Sequence, residues 1–191
     1  MTELPERPWF PIRTKRLVLR EFRADDYDGI HAYASDVETV RFMDWGPNTP
    51  EVSRERLDLM MREQSVWPRA EVNLAVEIVD QSQLIGAARL SLDGNGGADL
   101  GYSYGSPYWR KGYGYEAALA LTSAAFEVLD LHRIWATCDA RNDGSIAILE
   151  KLGMRREGTL RKNLKARDGW RDTHIYAFLR EEWLVRGRPG S

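Results

Sequence analysis

The residues best suited to chemistry lie in one stretch, Tyr108-Trp109-Arg110-Lys111-Gly112-Tyr113-Gly114-Tyr115-Glu116-Ala117. The positions after it, Ala118, Leu121, Thr122, Ala125 and Leu129, recur at helical spacing, so two glycines and two cations open a long helix. A glycine-bearing turn at a helix N-terminus aims several unpaired backbone N–H groups in one direction. Together with the helix dipole they make a site for a phosphate or pyrophosphate. Glycine at 112 and 114 removes the Cβ atoms that would hold such a group off, and Arg110 and Lys111 add positive charge. Short matches of this kind also occur in ordinary solvated loops, so the surrounding elements must decide.

The same letters fit a dinucleotide fingerprint, Gly112-x-Gly114-x-x-Ala117. That motif needs its first glycine tight against the end of the first parallel strand. Here Ser106 to Lys111 intervenes, and too little chain remains for the other strand–helix–strand units. The nicotinamide reading is therefore discounted.

The elements around the stretch follow from patterning. Arg16 to Arg20 alternates as a strand, and Asp25 or Asp26 can cap a helix through Ile30 and Tyr33. A second helical region is expected near Asp36. Thr49-Pro50-Glu51 starts another helix, which carries Leu57, Met60 and Met61. Leu74–Val79, Leu84–Leu92 and Asp99–Tyr104 read as strands joined by short polar or glycine-rich turns, hence as antiparallel neighbours. After the long helix, about Tyr113 to Leu129, come a strand, Arg133–Cys138, and a helix from about Gly144 to Leu152. That helix is capped by Asn142 or Asp143 and closed by Gly153. Met154–Glu157 and Thr173–Leu179 are expected as the last strands. The order predicts an α/β domain over residues 1–191, with a mixed sheet and helices on both faces.

Composition narrows the partners. A chain of 191 residues with 43% hydrophobic and 29% charged residues suits one compact domain. A net charge of −2 gives no basic excess for nucleic acid or an anionic membrane. One cysteine, Cys138, and no apolar run long enough to span a bilayer make the cytoplasm the expected location. The three histidines are scattered, so no metal site is expected. Oligomeric state is left open, and a homodimer is compatible with the sequence.

Several motifs in order resemble the RimJ/RimL-type branch of the GNAT acetyltransferases. They are Thr14-Lys15-Arg16-Leu17-x-Leu19-Arg20, Asp99-Leu100-Gly101-Tyr102, the glycine stretch itself, and Asn142-x-x-Ser145 ahead of Leu149-Glu150-Lys151-Leu152-Gly153-Met154. Glu157-Gly158-x-Leu160-Arg161 and Gly169-x-x-Asp172 complete the set, and the likeness covers about residues 12–184. The resemblance implies the GNAT fold, with a sheet splayed at the cofactor cleft, and acetyl-CoA as the acyl donor. It places the pyrophosphate on Trp109, Arg110, Lys111, Gly112, Tyr113 and Gly114, and the pantetheine arm along Tyr102, Ser103 and Tyr104. Asn142 and Ser145 would contact the cofactor from the next helix. The tyrosine that the superfamily often carries to protonate the leaving thiolate falls here on Leu149, so the resemblance points to Ser145 instead.

Transfer to an amine needs a neutral amine, a stabilised oxyanion and help for the thiolate. Asp99 is the candidate base, with Glu77, His174 and a water relay as alternatives. Asp44 beside Trp45 is the candidate acceptor site, since a carboxylate and an aromatic face both attract an ammonium. The acceptor implied is a primary amine, either a peptide or protein N-terminal amine or a small molecule such as an aminoglycoside, polyamine or amino acid. A non-catalytic acyl-CoA-binding module is the alternative from another class.

Overall fold

The computed structural model describes residues 8–186. Eight strands form one sheet: β1 (Ile12–Arg13), β2 (Leu17–Arg20), β3 (Glu71–Ile78), β4 (Gln83–Leu92), β5 (Gly97–Tyr104), β6 (Arg133–Asp139), β7 (Arg155–Ala166) and β8 (Gly169–Leu179). Five α-helices accompany them: α1 (Tyr27–Ala34), α2 (Pro50–Gln64), α3 (Tyr113–Val128), α4 (Asp143–Leu152) and α5 (Arg180–Arg186). The spatial order is β1-β2-β3-β4-β5-β6-β8-β7. Of these neighbours, β5 and β6 run parallel and the rest antiparallel. This is the mixed, mostly antiparallel sheet that the patterning predicts.

Both faces are covered. Leu74, Val76, Ala88, Leu90, Leu100 and Ile134 bury one face under α3 and α4, against Ala118, Leu121, Ala125 and Leu149. On the other face Ala75 and Leu84 pack with Phe22, Ile30, Tyr33 and Leu57 beneath α1 and α2. The helix starts follow local chemistry. Thr49 accepts from the Val52 N–H at the head of α2, and Asn142 Oδ1 accepts from the Ser145 N–H at 3.1 Å at the head of α4. Gly153, at φ 88°, ends α4 in the left-handed conformation that a Cβ disfavours.

Four local expectations need correction. The region after Asp36 is a series of turns, because the Asp36 carboxylate accepts from the N–H groups of Glu38 and Thr39 and from the Thr39 hydroxyl. Such local bonds offer the backbone an alternative to helix. Asp26 does not cap α1, since its carboxylate is taken by Arg20 and by the Arg23 N–H. The last two strands are a long hairpin that extends well past Glu157 and begins before Thr173. The residues of the added stretch, 158–172, are mostly exposed, so no alternation betrays it. Helix α5 was not anticipated, and it is held by Trp183 packed on Phe126 and Phe178.

Candidate active site

The sheet opens at its one parallel pair. Gly97, Ala98 and Asp99 on β5 pair with Arg133, Ile134 and Trp135 on β6, and there the pairing stops. β5 runs on to Tyr104 with β4 still on its other edge, while β6 runs on to Asp139 with β8 on its other edge. Between them lies a fork, and the main-chain groups of β5 beyond Asp99 have no strand to pair with on that side. An extended ligand arm can add to such an edge as a strand would.

Toward α3 and α4, two elements meet across the fork. The Tyr102 hydroxyl lies 2.9 Å from Ser145 Oγ in the first turn of α4. The Cys138 thiol on β6 lies beside Ser145, and burial pushes it up to about 11, so it stays protonated at neutral pH. Tyr102 stacks on Tyr104 with centroids 5.8 Å apart, and the buried Tyr104 hydroxyl has no hydrogen-bond partner among the described residues.

At the mouth of the fork the glycine loop leads into α3. Arg110 (φ 59°) and Gly112 (φ 81°) both sit in the left-handed region, which folds the backbone back on itself ahead of the helix. Turns of this kind gather N–H groups into an anion-binding concavity. The Trp109 indole N–H donates to the Tyr104 carbonyl, so this side chain braces the loop against β5. Gly114 is a packing glycine: an added Cβ would lie 2.8 Å from Ile148 Cδ1 and 3.1 Å from Tyr104 Cε2. A larger residue there would have to turn the end of the Ile148 side chain aside and crowd the Tyr104 ring, whatever ligand the loop holds.

The loop is also pinned from the N-terminal segment. Glu116, in the first turn of α3, accepts from the Thr14 hydroxyl (2.6 Å), the Arg16 N–H (3.0 Å) and Arg16 Nε (2.6 Å). Arg16 donates as well to the Lys111 carbonyl at 3.0 Å and lies 4.4 Å from the Tyr113 ring centroid. Burial works against the Glu116 carboxylate, but the bonds from Thr14 and Arg16 outweigh it and hold its pKa below the ordinary value. A depressed carboxyl contributes its stability above the unfolded pKa and loses it as the pH falls through the folded one, here below the ordinary glutamate range. Glu116→Gln should therefore loosen the loop at neutral pH. We expect the KM for the loop's ligand to rise about threefold to tenfold with little change in kcat, as steady-state kinetics would show.

The opposite face of the fork differs in character. Ile134, Ala136 and Cys138 turn into the α3–α4 core, so Trp135 and Thr137 turn the other way and are partly or fully exposed. Asp99 lies on this side at the closed end of the fork, ion-paired with Arg89. Burial raises the Asp99 pKa and the Arg89 guanidinium opposes the rise. Ser103 is half-buried farther along β5.

A strap, residues 35–49 between α1 and α2, borders this face and is fastened at both ends. Asp36 accepts from the Ser106 hydroxyl at 2.6 Å, and the Ser106 N–H donates to the Thr39 hydroxyl at 2.8 Å. From the β7–β8 hairpin, Arg167 donates to the carbonyls of Val40 (3.0 Å) and Trp45 (2.7 Å), and Arg171 to that of Phe42. Asp44 is exposed on the strap, while Trp45 packs into the α1–α2 cluster. The structure thus gathers Tyr102, Tyr104, Asn142, Ser145 and the glycine loop around the fork and leaves Asp44 at the rim.

Residues 16–155 match the family model described as an acetyltransferase (GNAT) domain. The chain belongs to the GNAT acetyltransferase family. It is 34% identical over 173 residues to the uncharacterized N-acetyltransferase YnaD of Bacillus subtilis, covering 90% of this chain and 98% of that one. It is 31% identical over 107 residues to the [Ribosomal protein uS5]-alanine N-acetyltransferase of Escherichia coli, covering 54% of this chain and 55% of that protein. A solved structure of a GNAT-family acetyltransferase from Bacillus anthracis superposes with a TM-score of 0.79 at 31% identity, covering 90% of this chain and 99% of that one. The protein is thus an N-acetyltransferase of this family, with its open sheet.

Two parts of this acetyltransferase escaped sequence reasoning. The Thr14–Arg16–Glu116 clamp joins residues far apart in the chain, and Glu116 alone reads as an acid favoured by the helix dipole. The strap's fastening by Arg167 and Arg171 uses main-chain acceptors, which leave no mark in the side-chain pattern. Among the described residues no cluster of three or more His, Cys, Asp or Glu could hold a metal ion, and no helix is long and apolar enough to cross a membrane.

Proposed function

We propose that this acetyltransferase moves the acetyl group of acetyl-CoA onto the α-amine of a peptide or protein N-terminus. The observation that carries the reading is the fork, with an unpaired β5 edge, Tyr102 and Ser145 facing each other inside it, and a left-handed glycine loop at its mouth. The residues fit the donor. The N–H groups from Arg110 to Gly114 would hold the pyrophosphate, and the free edge of β5 from Leu100 to Tyr104 would pair with the amides of the pantetheine arm. Bound acetyl-CoA supplies an activated acyl carbon and a thiol leaving group.

The chain's own groups then divide the work. Main-chain N–H groups of β5 polarise the thioester carbonyl where negative charge develops. Asp99, its pKa raised by burial, takes the proton of the incoming amine, directly or through water. Ser145 stabilises the sulfur as it leaves, supported by the positive end of the α4 dipole.

Electrostatics at the rim supports a singly charged acceptor. Asp36 is engaged by Ser106 and Thr39, and Glu38 pairs with Arg41, which leaves Asp44 as the exposed carboxylate of this stretch with no ion pair among the described residues. Nearby, Arg167 and Arg171 hold strap carbonyls, and Arg141 is bound to Asp139 and Asp168. A polycation would find one unpaired carboxylate there, with the others already matched by arginines or hydroxyls, whereas a single ammonium could pair with Asp44 beside apolar surface. The relationship to a ribosomal-protein alanine N-acetyltransferase points the same way.

Calorimetry with acetyl-CoA, CoA and NAD, followed by thiol release over a panel of peptides, polyamines and aminoglycosides, tests the reading. We expect binding of both coenzyme A species but not of NAD, with turnover highest on peptides. Asp44→Asn should raise the acceptor KM and leave that of acetyl-CoA unchanged. Turnover confined to aminoglycosides would overturn the acceptor, and binding without thiol release on any amine would make the protein a non-catalytic acyl-CoA module.

A further inference from the structure

Helix α4 brings a serine to the fork and no phenol, since Leu149 is buried in the core. A phenol reaches Ser145 from the other wall. Tyr102 on β5 spans the opening, with its oxygen 2.9 Å from Ser145 Oγ and 3.4 Å from the Ser145 carbonyl. Both partners are held in place. The Tyr102 ring lies nearly parallel to that of the buried Tyr104, at 24°, and Asn142 fixes the first turn of α4 through the Ser145 N–H.

A serine hydroxyl has one hydrogen and two acceptor lone pairs, and its hydrogen rotates to suit its neighbours. Burial pushes the Tyr102 hydroxyl above the ordinary tyrosine value, so it stays a neutral donor throughout the working pH range. With the phenol donating to Oγ, the serine hydrogen is driven away from Tyr102. On the far wall of the fork stands β6, whose Cys138 thiol is buried and protonated.

We propose that Tyr102 is a positioning residue for acyl transfer: its hydroxyl donates to Ser145 Oγ and turns the serine hydrogen into the fork, toward the departing sulfur. The inference rests on the reading of Ser145 as the group that assists the thiolate. Once the C–N bond has formed and the C–S bond breaks, the electron pair goes to sulfur and the proton comes from Ser145. The proton that Asp99 takes from the attacking nitrogen returns through water to the serine, which frees Asp99 again, and Tyr102 ends as it began. A hydrogen bond from the phenol also makes the serine hydrogen a stronger donor, because successive hydrogen bonds polarise one another.

The test is a double-mutant cycle of Tyr102→Phe and Ser145→Ala, read as kcat and KM for acetyl-CoA, with thermal melts and CoA calorimetry as controls. Tyr102→Phe removes one oxygen and keeps the ring stacked on Tyr104, so fold and CoA affinity should be unchanged. We expect kcat to fall about tenfold, the order of one well-placed hydrogen bond, with KM for acetyl-CoA within about twofold. In the Ser145→Ala background the same change should cost nothing further, since nothing is left to orient. Wild-type kcat in Tyr102→Phe, an equal loss in both backgrounds, or a rise in KM alone would each overturn the proposal. Ser145→Ala with wild-type turnover would instead remove the reading of Ser145 on which it depends, and the two failures are told apart by that single mutant.

Discussion

Replacing Arg20 by methionine is expected to cost about 3–5 kcal/mol of folding stability, the range for breaking a buried ion pair by removing one partner. Arg20 is nearly buried and holds two carboxylates at once. It grips Asp26 with both terminal nitrogens, at 2.8 and 2.7 Å, and Glu77 through Nε at 2.6 Å. A fourth bond reaches the Glu21 carbonyl at 3.0 Å. Methionine fills the space but leaves two carboxylates facing each other without a cation. Because the triad ties β2 and β3 to the turn ahead of α1, its loss should also loosen the helix from which the strap departs. For a chain of this size each kcal/mol moves the melting midpoint by roughly 2–4 °C, so a fall on the order of 6–20 °C is expected. Urea denaturation of the single mutant and of Arg20→Met with Asp26→Asn and Glu77→Gln would check it. The triple mutant should recover much of the loss, and a single-mutant cost under about 1 kcal/mol would show that the triad does not hold this region together.

Ser145→Ala should lower kcat by about 10²–10⁴, the span for a positioned proton donor, while the KM for acetyl-CoA hardly moves. The separation is expected because alanine keeps the backbone N–H that Asn142 Oδ1 accepts, so the head of α4 stays capped. Only the hydroxyl that meets Tyr102 is lost. Thiol release under saturating acetyl-CoA and peptide would show it. Wild-type turnover in a folded mutant would return Ser145 to an ordinary residue of a helix start.

Features read directly from the sequence share one property: their cause is local. The glycine loop, the Asn142 cap, the Gly153 stop and the alternating strands through Tyr104 each follow from residues within a few positions of one another. The sequence shows the β7–β8 hairpin as shorter than it is because the mostly exposed residues 158–172 erase the period that marks a strand. The turns after Asp36 look helical in the sequence because their geometry is set by a carboxylate satisfying its neighbours' N–H groups. The fork itself is a tertiary fact. Nothing within Gly97–Tyr104 says that β6 leaves it after Asp99, and only the family likeness foretold it.

The strap's fastening bears on how the acceptor preference of such an enzyme can drift over generations. Arg167 and Arg171 grip the carbonyls of Val40, Phe42 and Trp45, atoms that every amino acid possesses. Val40 is buried and Trp45 packs inward, so variation that spares the core falls on exposed strap positions such as Asp44, and no side chain there is needed for the fastening. If the strap borders the acceptor as proposed, its anchorage and its selectivity are separately inherited: the hairpin arginines encode the first, and the exposed strap side chains are free to explore the second.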